Sequence, residues 1–115
     1  MLYTKHVELT TTAETTLFTV PDGYHAIIHY IFIANHGGSA NDASLWYING
    51  SDRVDIFDGT SITGGAKETL GNGGGPLFVL HEGEAVKAQT GSAGDVEFAV
   101  TFDLVGVPVA LVNFT

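Results

Sequence analysis

His25 and His29 stand four residues apart, and this HxxxH spacing is the first place in the chain where residue types suggest chemistry. On a helix the two imidazoles would share one face and one metal ion. The surrounding run, YHAIIHYIFIAN, is rich in β-branched and aromatic residues, so a strand is expected instead. On a strand the pair points the same way but is separated by roughly 13 Å, too far for one ion. The two histidines are therefore expected as polar tips on a partly buried face or a subunit interface, without metal. His36 and His81 fall in turns and join a site only if folding carries them to one.

The other chemical motifs are weaker. Asp52, Asp55, Asp58 and Gly59 have the wrong spacing for the alternating ligands of an EF-hand loop and are expected as solvated strand residues. GNGGGP lacks the Gly-Lys-Ser/Thr and the helix of a phosphate loop. No serine occupies a Gly-x-Ser-x-Gly elbow. A carboxylate pair can be picked from the 13 acidic residues of any such chain and carries no weight. No catalytic residue and no cofactor is expected. Trp46 and Tyr47, with Tyr24 and Tyr30, could form an aromatic platform for a sugar, although strand aromatics more often serve a core or an interface. Two glycosylation sequons, at Asn49 and Asn113, have no meaning without a secretory signal.

The bulk properties set the frame for these residues. A chain of 115 residues is one domain's length and buries about two-thirds of its unfolded surface. There is no cysteine, which removes disulfides, thiolate metal sites and cysteine nucleophiles. The opening MLYTKHVELTTT does not have the pattern of a signal peptide, and no apolar run reaches the ~18 residues of a spanning helix, so a soluble intracellular product is expected. The net charge of -9 repels phosphate backbones and anionic membranes, and neither partner is expected.

Period-two alternation dominates the chain. In DVEFAVTFDLV, Val96, Phe98, Val100, Phe102 and Leu104 share one face while Asp95, Glu97, Thr101 and Asp103 share the other. DASLWYIN and RVDIF read as a hairpin around Gly50-Ser51, and YTKHVEL, LFTV, LFVL and AVKAQ supply further strands. The glycine-rich stretch from 59 to 76 is expected as a long loop or a kinked edge. The apolar tail GVPVALVNFT, interrupted by Pro108, suits an edge strand or an arm. LFTVPDGYHA at 17 to 26 and LFVLHEGEAV at 77 to 86 align without gaps, as two Greek-key halves of one sandwich would.

These signs converge on an all-β, single-domain antiparallel β-sandwich of the jelly-roll type with eight or nine strands. It spans residues 1–115, with 1–14 and 106–115 as candidate docking or subunit-exchange arms. The strand at 24 to 35 is apolar on both sides, so its second face must meet a covering loop or a neighbouring subunit.

TLFTVPDGYHAIIHYIFIANHGGSA, LWYING and GGPLFVLHEGEAVKAQTGSAGDVEFAVTF together resemble small jelly-roll decoration, or cement, proteins of tailed bacteriophage capsids. The shared features are a TVPxG turn, an xIANxGGSA strand end, an LxxGExVxAxTG turn and a closing alternating strand, covering about residues 15 to 105. The resemblance implies a non-enzymatic homotrimer, made in the host bacterial cytoplasm. It would bind the major capsid protein on the outer surface of the virion's head and stabilise it. Ile27, His29, Ile31 and Ile33, with Val107, Val109, Leu111 and Phe114 of the tail, are the expected subunit or capsid interface. The alternative is a tail or fibre sandwich that binds host glycans, through Trp46 and Tyr47, or another virion protein.

Overall fold

The computed structural model describes residues 2–71 and 75–107. Nine strands follow in order: β1 (Leu2–Leu9), β2 (Thr15–Thr19), β3 (Tyr24–Asn35), β4 (Asn41–Asn49), β5 (Asp52–Ile62), β6 (Lys67–Leu70), β7 (Phe78–Leu80), β8 (Ala85–Thr90) and β9 (Val96–Gly106). There is no helix among the described residues. The strands form two antiparallel sheets. The first has the order β1-β9-β3-β6, with β7 also pairing to β3, and the second has the order β2-β8-β4-β5. With β6 and β7 read as two pieces of one edge strand along β3, this is the eight-strand order of a jelly roll.

The alternation read in the sequence is what closes the sandwich. Val96, Phe98, Val100 and Phe102 of β9 point inward and are buried, as are Ala43 and Leu45 of β4 and Val86 and Ala88 of β8. Phe18 of β2 stacks on Phe102 across the core, with ring centroids 4.2 Å apart. Of the two expectations for 59 to 76, a long loop or a kinked edge, the described residues show an edge: 59–62 end β5 and 67–70 form β6, both edge strands. β5 runs through Gly59 (φ +61°) to Ile62, and β6 then adds to the edge of β3. Glycine weakens a strand but also permits the bulged register that β5 adopts against β4. The first 14 residues contain β1, which pairs with β9 along its whole length.

The internal similarity corresponds to a physical pair. The turns β2–β3 and β7–β8 each place a glycine, Gly23 and Gly83, at φ +82°. The two turns lie against each other. Val20 N donates to Glu84 O at 2.9 Å, Gly83 N donates to Val20 O at 2.9 Å, and Gly23 N donates to Glu82 Oε2 at 2.7 Å. Val20 and Leu80, equivalent in the two copies, are both buried in the core.

Candidate interaction surface

The outer face of the β1-β9-β3 sheet is where this molecule leaves apolar side chains facing outward. Register places Leu2, Asp103, Ile27 and Val79 in one row across β1, β9, β3 and β7. Further along, Tyr30 pairs with Thr101 and Phe32 with Ala99 on the same side. Ile27, Tyr30 and Phe32 are half-buried, while Leu2 is 58% exposed, Val79 45% and Val105 42%. A contiguous strip of this kind favours burial against another surface.

Along the strands the face changes from apolar to acidic. At its far end Glu8 and Glu97 are direct cross-strand neighbours, and like charges so placed repel. His6 Nδ1 and His36 Nε2 each lie 3.8 Å from a Glu97 carboxylate oxygen. A hydrogen bond with Asp95, then the charge of Asp95, raises the pKa of Glu8 above the ordinary carboxylate value. Burial and Glu97 add to the rise, while His36 opposes it. Asp95 Oδ1 is buried without a hydrogen-bond partner, beside this raised carboxyl.

The interface residues expected from sequence divide in two. β3 carries a bulge between Ile28 and Tyr30 in its pairing with β9. One extra residue at His29 reverses the alternation, so Ala26 and Ile28 point inward before it and Ile31 and Ile33 point inward after it. Ile31 and Ile33 are 1% and 0% exposed within the chain's own core, and the expectation that they face a partner is corrected. Ile27 and His29 remain half-buried. The residues that replace Ile31 and Ile33 on the outer face are Tyr30 and Phe32. Simple period-two counting puts these two inside, and the polar His29 within an apolar run is the only local sign of the bulge. Val107 is half-exposed, and its N–H donates to Gly23 O at 2.9 Å. Val109, Leu111 and Phe114 lie outside the described residues.

The aromatic sugar platform is also corrected. Trp46 and Tyr47 are neighbours on β4 and therefore point to opposite sides of the sheet. Tyr47 packs against the core with its ring 5.8 Å from that of Phe78. Trp46 is on the outer side, in register with Lys87 and Asp55, yet only 1% exposed. The Arg53 guanidinium lies 3.8 Å from its ring centroid and is held there by Asp55, with Arg53 Nε donating to Oδ1 at 2.6 Å. The two rings present no common surface to a ligand.

The asparagines of the IANHGGSAN segment are anchors. Asn35, 2% exposed, donates to Ser39 O and Ile62 O and accepts from Gly37 N. Asn41 donates to Ser92 O and accepts from Ser92 N and Oγ. The Asn35 bonds hold the β3–β4 loop to the end of β5, the Asn41 bonds hold the start of β4 to the β8–β9 loop, and both asparagines line a recess of about 190 Å³. A Cβ on Gly64 would lie 2.6 Å from the Gly38 carbonyl carbon, so only glycine permits that approach. A second groove, of about 430 Å³, is open and polar, lined by Asp42, Ser44 and Gln89 among others. Among the described residues no group of three or more His, Asp or Glu side chains converges as a metal site.

No family model matches the sequence, and no curated protein matches it. Solved structures do share its fold. A protein of Bacillus endospore appendages, which form disulfide-linked pili, superposes with TM-score 0.56 at 10% identity, covering 94% of this chain and 88% of its own. The Drosophila NLP core, whose structure concerns pentamer formation and histone binding, gives TM-score 0.51 at 17% identity, covering 89% and 97%. A pentameric capsid protein from metagenomic phage sequences gives TM-score 0.48 at 12% identity, covering 90% and 67%. At these identities the first two establish a common sandwich fold and nothing finer.

Proposed function

We propose that this chain is a non-enzymatic structural protein of a bacteriophage particle, a decoration protein that binds the outside of the assembled head and stabilises it. The observation that carries this reading is the strip Ile27, Tyr30 and Phe32, left half-exposed on an otherwise well-packed sandwich. A cement protein works by binding the assembled lattice and not its separated subunits, so it needs area and shape more than a reactive group. The residues that resemble the decoration family support this assignment. Gly23, Gly83, Asn35 and Asn41 are all used in turns and loop anchors, as a scaffold would use them.

The apolar strip of the face, Ile27, Tyr30 and Phe32 with Val79 and Val105, is the self-association surface, and the resemblance makes the oligomer a trimer. The major capsid protein is the second partner. Proteins of similar fold that associate into pili or pentamers support a role through assembly. The disulfide linkage named for the pili is not open to a chain without cysteine.

The test is the copy number of this chain relative to the major capsid protein in purified particles of its source. A ratio near one, or a simple fraction set by threefold positions, is expected. A few copies per particle would move the protein to the tail and overturn the decoration role. Native mass spectrometry of the isolated protein checks the trimer.

A further inference from the structure

The interlocked turns bring together two histidines that are 56 residues apart in sequence. His81 Nδ1 lies 3.2 Å from His25 Nε2, with the two rings nearly perpendicular at 81°. Imidazole nitrogens bound to one zinc ion at about 2.05 Å and a tetrahedral angle would be about 3.3 Å apart. The observed separation matches this spacing, and it is also a hydrogen-bond distance.

We propose that His25 and His81 form a binding site for a late first-row divalent transition ion, such as zinc, nickel or copper. Imidazole is the ligand type these ions prefer, and neither calcium nor magnesium would choose it. The two turns are fixed against each other before any ion arrives. His25 is near the start of β3, His81 directly follows β7, and the backbone bonds between Val20, Gly83 and Glu84 hold the two turns together. The nearest carboxylates in sequence are already engaged. Glu82 accepts from Gly23 N, and Glu84 accepts from His81 N. The chain thus supplies two ligands, and water fills the remaining positions, which gives modest affinity and an open-sided ion. Both rings reach solvent, His81 more than His25. The proposal needs only the fold and not the capsid role, although His25 pairs in register with Val105 and so borders the proposed self-association surface.

Isothermal titration of untagged protein with zinc, nickel and copper salts at pH 7.5 tests it. One ion per chain is expected for at least one of the three, with affinity reduced about tenfold or more in both His25→Ala and His81→Ala. The same ion should raise the melting temperature of the wild type and of His36→Ala, but not of His25→Ala. Circular dichroism confirms that each variant is folded. Three results would overturn the site: no binding by the wild type, binding that survives both substitutions, or binding lost only in His36→Ala. The first would leave the pair as a hydrogen bond between two turns.

Discussion

The two sheets of this sandwich each carry large apolar side chains on their outer side, and they treat them in opposite ways. On the β4 side, Trp46 faces outward and is sealed under Arg53, which is pinned in turn by Asp55. On the β3 side, Ile27, Tyr30 and Phe32 face outward beside the exposed Leu2, Val79 and Val105. An apolar residue on an outer face is thus not a surface until its neighbours are known. One sheet closes its large aromatic with its own side chains, while on the other Lys67 Nζ lies 5.8 Å from the Phe32 ring and the strip stays only half-buried.

Adjacent residues of β3 give the sharpest test of this contrast. Ile31→Asp puts a carboxylate into the core without a partner and should cost at least about 4 kcal/mol, leaving the chain largely unfolded in urea titration. Phe32→Asp, one residue along, should fold with stability within about 1 kcal/mol of wild type but fail to oligomerise in native mass spectrometry. If both variants fold equally well, the bulge at His29 and the inside-outside assignment of β3 are wrong.

Trp46→Ala should behave as a core truncation despite its outward position, costing about 3 kcal/mol in chemical denaturation. A cost near zero would mean that the β4 side is as open as the β3 side. Arg53→Ala is the milder form of the same test, with an expected cost of about 1 kcal/mol. Trp46 is the only tryptophan, so its emission should shift to the red when the guanidinium is removed. Emission at the wild-type wavelength would show that Arg53 is not the lid.

The smallest effect belongs to the acidic end of the open face. Because the folded-state pKa of Glu8 is raised, its contribution to stability is fully present in acid and is lost as pH rises through the raised value. Glu8→Gln should flatten this part of the pH–stability curve and leave the acid limb almost unchanged. A curve identical to wild type would show that Asp95 does not raise the Glu8 carboxyl.

Much of the fold was legible because its signals are local. The alternation in β9 needs only the pleat, and the turns at Gly23 and Gly83 need only a backbone conformation that glycine adopts freely. The glycine-rich stretch was legible in part, since its reading as a kinked edge fits the bulged end of β5 and the edge strand β6, but β6 is held by its pairing to β3, which composition does not show. Which expected residues face outward was half legible. Ile27 and His29 lie on the outer side, but a bulge depends on how β3 sits against β9, and local composition does not encode that register.

By itself the sequence determined the strand periodicities, the turn positions, the absence of thiol chemistry and the acidic charge, since each follows from residue types acting over a few neighbours. Only the tertiary structure decided which apolar residues are core, which histidines meet, and that Trp46 is sealed. Those outcomes depend on contacts between segments tens of residues apart, as with His25 and His81 or the pairing of β3 with β9.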